Sequence, residues 1–304
     1  MTNWPPSGAE SRWRPLPGWN PSPAVLSETL DGGQSFRWQC ADGIWTGYWG
    51  QSAAQLRLKA GAIEWCGADV PGDDTARSLP RYLGDELDWP TLIDALPWRS
   101  DPHLAQCIAA FPGLRILRQP FGDTLLGFLC SATKQIVQIK QMIALLAQRH
   151  GLPLLPHSTL NPQLPAIPHR LPTWAELAHV READLRACLL GFRARYIHDT
   201  ATFIAARPGW LEETEHLPYA AAKTRLLELP GVGEKVADCV LLFGAGKLEA
   251  FPVDTWILKA LARRYGLDEW KPAQVAHFGR THFGPLAGLA QQYLFSWERK
   301  FGSR

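Results

Sequence analysis

The stretch Leu229-Pro230-Gly231-Val232-Gly233-Glu234-Lys235-Val236-Ala237-Asp238-Cys239 leaves the backbone few choices. Before it, Tyr219 to Leu229 follows a helical pattern with Leu226, Leu227 and Leu229 on one side; after it, Val236 to Phe243 forms a second apolar segment. Pro230 ends the first helix, because a residue preceding proline avoids the α region. Gly231 and Gly233 permit backbone angles that other residues resist. The spacing predicts a tight helical hairpin over residues 217–245, whose second helix starts with bare N–H groups. Those donors and the positive end of the helix dipole suit a phosphate. Taken alone, a Gly-x-Gly turn is equally compatible with a purely structural corner. A lysine on the second helix, followed by Pro252-Val253-Asp254 at the head of a third, makes the string more specific.

The rest of the chain reads as α+β. Its 304 residues are enough for a large core and two or three subdomains. Residues 1–23 are proline-rich and read as an irregular lead-in. From Val25 to about Trp65 the pattern predicts short strands linked by hairpins: Gly33-Gln34-Ser35-Phe36-Arg37-Trp38 alternates, Ala41-Asp42-Gly43 is a turn, and Ala60-Gly61-Ala62 is another. Residues 72–111 read as helical with breaks at Pro80, Pro90 and Pro97, and Leu114 to Gln119 as one more strand. From Gly122 onward the pattern is helical. Asp123 is expected to cap Thr124 to Cys130, Ser131 to Gln135 to interrupt, and Ile136 to Gln148 to continue until Gly151. Six prolines make 152–172 a surface connection. Thr173-x-x-Glu176 is a capping box, and further helices are expected over 184–190, 193–206, 254–265 and 285–301. This divides the chain into an antiparallel sheet domain with helices, 1–121, and a mainly helical region, 122–304.

Charge and cysteine usage narrow the function classes. Residues 1–100 carry 8 Lys/Arg and 12 Asp/Glu, while residues 101–304 carry 23 and 17, so the helical part is the basic one. That fits a DNA-facing part, although chance asymmetry between two soluble faces would produce it too. The six cysteines are scattered without a C-x-x-C pair, which speaks against a disulfide framework, a zinc site or a four-cysteine cluster. No run of eighteen apolar residues and no signal pattern is present, so the expectation is an intracellular protein without a membrane span, in cytoplasm, nucleoid or nucleus.

Two residues are candidates for chemistry. Lys235 falls in the first turn of the second hairpin helix, where the dipole disfavours an ammonium and so favours the free amine that nucleophilic attack requires. By position alone it would equally grip a phosphate or be solvated. Asp254 precedes the helical run from Thr255 and is a good N-cap. A carboxylate there can also stabilise a developing positive charge or help deprotonate Lys235.

The hairpin, Lys235 and Asp254 resemble the helix-hairpin-helix superfamily of DNA glycosylases. The resemblance extends to the eukaryotic-type 8-oxoguanine DNA glycosylase/AP lyase family over nearly the full length. It is carried by Gly33-Gln34-Ser35-Phe36-Arg37-Trp38, Gly191-Phe192-Arg193-Ala194-Arg195-Tyr196, the hairpin with Lys235, Pro252-Val253-Asp254, His282-Phe283-Gly284-Pro285, and Ala290-Gln291 to Leu294-Phe295. It implies an active site in the cleft between the sheet domain and two helical subdomains, with Lys235 as nucleophile and Asp254 assisting. Gly33 would read the N7 hydrogen that only the oxidised purine has, through its bare carbonyl. Gln291 would read the Watson–Crick edge of a flipped base, and Phe295 and Cys239 would sandwich it. Gly231, Val232 and Gly233 would hold a phosphate. Phe192 would fill the stack, Arg193 would read the opposite cytosine, and Thr133, Lys134 and Gln135 would line the vacated space. The implied partner is duplex DNA carrying oxidised guanine, bound by a monomer. No cofactor or catalytic metal is required, and a sodium, potassium or calcium ion at the hairpin carbonyls is compatible.

Three positions depart from the family pattern. Thr133-Lys134-Gln135 stands where an Asn-rich segment is usual, Gln138 where a second arginine is usual, and Trp256 where a histidine is usual. The expectation is relaxed selectivity for the base opposite the lesion. The rival readings are an alkylated-purine glycosylase of the same superfamily, which generally lacks the lysine, and a non-catalytic hairpin protein that binds DNA.

Overall fold

A computed structural model describes residues 13–67, 74–154 and 168–302. Its first half holds a five-stranded antiparallel sheet in the order β1-β5-β4-β3-β2, from β1 (Arg14–Leu16), β2 (Trp38–Ala41), β3 (Ile44–Trp49), β4 (Ser52–Lys59) and β5 (Ala62–Gly67). Both predicted tight turns are present. Asp42 and Gly43 have φ of 51° and 77°, and Ala60 and Gly61 of 50° and 81°, the left-handed pairs that match the twist of a two-residue hairpin. The register pairs Trp38 with Gly47, and a Cβ on Gly47 would lie 2.3 Å from the Trp38 ring. Trp38 thus lies flat on the sheet, stacked 5.9 Å from Trp49, with its indole N–H donated to the Tyr82 hydroxyl at 3.0 Å.

The stretch between β1 and β2 is helix α1 (Pro23–Asp31), not strand. The Ser22 hydroxyl caps it by accepting from the Val25 N–H, and Pro23 has the preset φ a first turn wants. Val25, Leu26, Thr29 and Leu30 are buried at helical spacing, a period obscured by the β-like residues that follow. Gly33 to Arg37 is an irregular bend, and only Trp38 starts a strand. The lead-in also contains β1, whose pairing with β5 is non-local and leaves no sequence signal.

Helices α2 (Thr75–Tyr82), α3 (Trp89–Asp94) and α4 (Pro102–Ala110) follow. Pro80 lies inside α2, and Pro90 and Pro97 open short helical segments instead of breaking one. Leu114 to Gln119 is extended but unpaired with any strand. Its polar groups bond elsewhere: the Leu117 N–H to the Gln34 side chain at 2.9 Å, Arg118 N–H to Tyr82 O, and Gln119 N–H to Phe243 O. Asp123 does not cap α5 (Phe121–Leu129); it sits inside the first turn and accepts from the Gly50 N–H at 2.9 Å, tying α5 to the sheet.

The helical half continues with α6 (Ile136–His150), α7 (Trp174–Leu177), α8 (Glu182–Leu185), α9 (Arg193–Ala205), α10 (Trp210–His216), α11 (Tyr219–Leu226), α12 (Glu234–Phe243), α13 (Thr255–Tyr265), α14 (Pro272–Phe283) and α15 (Ala287–Phe301). The Thr173–Glu176 capping box forms, but its helix lasts one turn. Helices α10 and α14 lie where no element was expected. The middle of the proline-rich connection falls outside the described residues, and its ends meet in a Pro153–His169 bridge. The buried side chains of both halves join in one core, with α5 packed on α12 and α15 packed on both α4 and α13. That arrangement brings the bend after α1 to the C-terminal helix.

Candidate active site

Helix α12 is buried along Val236–Phe243, which explains the apolar run after the hairpin. Gly233 caps it without a side-chain bond, and a Cβ there would meet nothing within 4 Å. The first-turn N–H groups therefore open onto clear space, as an anion site requires. Gly231 serves a different end. Its φ is +79°, and a Cβ on it would stand 2.5 Å from the Tyr196 ring, so the turn lies against α9. Val232, between the two glycines, is buried. Leu226 and Leu229 are buried as expected, but Leu227 is 38% exposed. The first helix ends at Leu226, four residues before Pro230. Across the hairpin, Lys223 of α11 pairs with Asp238 at 3.0 Å and Glu234 at 2.6 Å, and the Tyr219 hydroxyl donates to Asp238 at 2.7 Å. These bonds lock the helix that bears Lys235.

One depression of 350 Å³, open at its mouth, gathers Gly33, Lys235, Cys239, Asp254, Gln291 and Phe295. Phe128, Phe243, Pro252 and Gln292 complete its wall. Gly33 has φ +103°, and a Cβ there would lie 3.3 Å from Ile136 and 3.7 Å from the Phe295 ring. Its position is held by Gln34, whose side-chain amide donates to Arg115 O at 2.8 Å and whose backbone carbonyl accepts from Gln119 at 2.7 Å. Gln291 is 5% exposed, and its Oε1, like Nε2 of Gln292, has no hydrogen-bond partner within the protein. A buried polar atom left unpaired costs about 1–3 kcal/mol, which a polar ligand edge would recover.

Lys235 Nζ donates to the Ser131 hydroxyl at 3.2 Å and lies 5.0 Å over the Phe128 ring. Burial pushes the Cys239 thiol up to about 12, with the Lys235 charge pulling the other way, so the sulfur is a neutral thiol near pH 7. Asp254 caps α13 by accepting from the Ile257 N–H at 2.9 Å. Burial raises its pKa above the ordinary carboxylate value, opposed by the Ile257 N–H, the Lys235 charge and the Trp256 N–H. The helix end thus holds this carboxyl less firmly ionised than capping alone suggests. Trp256 is partly buried, one position into α13.

The remaining sequence candidates, Phe192, Arg193, Thr133, Lys134 and Gln135, do not line this depression. Phe192 is 52% exposed at the start of α9, and Leu189, with φ of 63°, is 54% exposed on the turn before it. Thr133, Lys134 and Gln135 are exposed, Thr133 with φ of 54°. Arg193 is not free to face outward. It is 3% exposed, stacks 4.4 Å under Phe192, and donates to the carbonyls of Ala132 and Leu190 and to the Thr133 hydroxyl at 3.0 Å. Gln138 accepts from the Gln135 N–H at 3.2 Å in a capping box. A cation at the hairpin would have to share carbonyls that already accept within the protein, Leu229 O from the Val232 N–H and Pro230 O from the Thr200 hydroxyl. Phe128, Ser131 and Gln292 carry no local signal; only the packing of α5 on α12 brings the first two to Lys235. Among the described residues no helix is long and apolar enough to cross a membrane.

Residues 19–125 match the family model for the 8-oxoguanine DNA glycosylase N-terminal domain, and residues 126–281 match that for HhH-GPD superfamily base excision DNA repair proteins. The chain is 30% identical over 291 residues to the N-glycosylase/DNA lyase OGG1 of Arabidopsis thaliana, covering 89% of this chain and 76% of that one. It is similar to the crystal structure of Clostridium acetobutylicum 8-oxoguanine glycosylase/lyase in complex with double-stranded DNA containing cytosine opposite 8-oxoguanine. That match has a TM-score of 0.82 and 30% identity, over 90% of this chain and 91% of the other. The 3-methyladenine DNA glycosylase of Archaeoglobus fulgidus shares the fold, with a TM-score of 0.74 and 20% identity over 96% of this chain and 99% of that one.

Proposed function

The chain belongs to the HhH-GPD superfamily of base excision DNA repair proteins, with an 8-oxoguanine DNA glycosylase N-terminal domain, and on that footing we propose that it excises 8-oxoguanine from duplex DNA and cleaves the strand at the resulting site. The observation that carries the residue-level reading is the convergence in one depression of Gly33, Lys235, Cys239, Asp254, Gln291 and Phe295. These residues come from the bend after α1, from α12, from the head of α13 and from α15. Together they supply what base excision needs, namely a nucleophilic amine, a carboxyl beside it, an unpaired amide edge, a bare backbone and an aromatic ring.

The hairpin N–H groups hold a backbone phosphate while the damaged nucleotide leaves the stack and enters the depression, the glycosidic bond being out of reach inside the duplex. Gln291 meets the Watson–Crick edge and Phe295 covers one face of the ring. The Lys235 lone pair forms the N–C1′ bond as the C1′–N9 bond breaks, and the bonding pair leaves with the base. Ionised Asp254 stabilises the positive charge that grows on the sugar. The nitrogen then loses a proton, the sugar ring opens, and the amine becomes a Schiff base. That imine withdraws electrons, a proton leaves C2′, and the 3′ phosphate departs with the C3′–O pair.

Exposed Phe192 enters the gap, flanked by Thr133, Lys134 and Gln135. Because Arg193 is spent on Ala132 O, Leu190 O and the Thr133 hydroxyl, and Gln138 on its own helix start, opposite-base selectivity is relaxed. Borohydride trapping on duplexes with a single 8-oxoguanine opposite each of the four bases tests this, with Lys235→Gln as control. A covalent complex is expected with the protein and not with the variant. Free base without trapping would make it a monofunctional enzyme led by Asp254; neither release nor trapping on oxidised or alkylated purines would leave only DNA binding.

A further inference from the structure

We propose that Ser131 is the positioning residue that aims the Lys235 amine, a role that rests on Lys235 being the nucleophile. Ser131 is buried just beyond the end of α5, in a turn whose sequence carries no motif. Its hydroxyl donates to Phe128 O at 2.7 Å, a carbonyl that also accepts from the Ser131 N–H at 3.0 Å. With its hydrogen committed there, the oxygen presents a lone pair to Lys235 Nζ at 3.2 Å and can only accept.

A neutral amine has two N–H bonds and one lone pair. One N–H goes to Ser131. The Phe128 ring is centred 5.0 Å from the nitrogen, and the Cys239 thiol is also within hydrogen-bonding reach of it. Holding one hydrogen toward α5 restricts the amine to fewer orientations, among them those with the lone pair facing the depression where C1′ must arrive. Without the hydroxyl, the amine sits on a flexible four-carbon stem and samples several directions, which lowers the fraction aligned for attack.

The test compares Ser131→Ala and Ser131→Thr in the full chain. Three duplexes are used: one with 8-oxoguanine opposite cytosine, one with a preformed abasic site, and one with a tetrahydrofuran analogue that binds without reacting. Single-turnover base release, strand cleavage, Kd and Tm are read. Because both reactions need the same attack on C1′, Ser131→Ala is expected to slow abasic-site cleavage and base release alike, by about tenfold, with Kd on the tetrahydrofuran duplex changed less than about twofold. Ser131→Thr, which keeps the hydroxyl, is expected to recover most of the rate. An unchanged abasic-site rate in Ser131→Ala would overturn the role, as would a loss fully matched in Kd, or one that Ser131→Thr does not recover while its Tm stays native. Wild-type protein that cleaves the abasic duplex but releases no 8-oxoguanine would overturn the substrate reading and leave the Ser131 comparison intact. Wild-type protein that neither releases base nor cleaves either reactive duplex would overturn both.

Discussion

A Cβ on Gly33 would stand 3.7 Å from the Phe295 ring, in a backbone conformation of φ +103° that side chains rarely adopt. The bend after α1 and the last helix therefore meet across the candidate base site with no side chain between them. Gly33→Ala is expected to cost about 1–3 kcal/mol of stability through backbone strain. It should also crowd the depression, so release of 8-oxoguanine falls while cleavage of a preformed abasic site continues. Calorimetry and single-turnover assays check this; equal loss on both substrates would mean the substitution acts through folding alone.

The two hairpin glycines should separate. Gly231→Ala combines φ of +79° with a 2.5 Å approach to the Tyr196 ring, so it is expected to lower Tm markedly. Gly233→Ala meets open space and an ordinary φ of −100°, so Tm should hold. Its methyl would stand beside the N–H groups offered to phosphate, and DNA affinity should fall about threefold to tenfold, as for loss of one or two modest hydrogen bonds. Fluorescence anisotropy on duplex DNA reads the second effect, and unchanged affinity would place the phosphate elsewhere.

Asp254 carries a prediction about pH. Burial raises its pKa from the ordinary 3.8, so as pH falls the carboxyl takes up its proton sooner than an exposed aspartate would. The acid limb of base release should therefore lie above 3.8, and Asp254→Asn should remove that limb along with most of the rate. A carboxyl with a raised folded pKa costs stability as pH rises through its titration range, and Asn is as good an N-cap as Asp. Asp254→Asn should thus match or exceed the wild-type Tm at pH 7. A large drop in Tm would mean that the residue's main contribution is to the helix start.

Arg193 and Gln138 set the opposite-base expectation. With the Arg193 guanidinium on Ala132 O, Leu190 O and the Thr133 hydroxyl, release rates across the four opposing bases should fall within about tenfold, or 1.4 kcal/mol. A preference for cytosine beyond about a hundredfold would mean that Arg193 leaves these partners when DNA binds. Arg193→Lys, which cannot reach several acceptors at once, should loosen the 131–135 turn and lower Tm by a few degrees.

Much of the architecture is legible locally. The two-residue turns at Asp42-Gly43 and Ala60-Gly61, the Asp254 cap, the Thr173–Glu176 box and the Gly-x-Gly hairpin each arise within a few residues of sequence. Local reading fails where a partner far along the chain decides. Leu114 to Gln119 has the composition of a strand, yet its polar groups bond to Gln34, Tyr82 and Phe243. Asp123 has the chemistry of an N-cap, yet it serves Gly50. The α1 stretch reads as strand because its neighbours alternate, although Ser22 and Pro23 mark a helix start.

For the candidate site, the sequence by itself determined which functional groups stand at the helix starts. The Lys235 amine, the Asp254 carboxyl and the unpaired N–H groups after Gly233 follow from residue type and helix position, which are local properties. Only the tertiary structure decided what surrounds them. The packing of α5 on α12 puts Ser131 3.2 Å from a lysine 104 residues away, and the 131–133 turn captures the Arg193 guanidinium. Such pairings depend on how helices dock, and docking is settled by burial of the whole core, to which no short stretch of sequence has access.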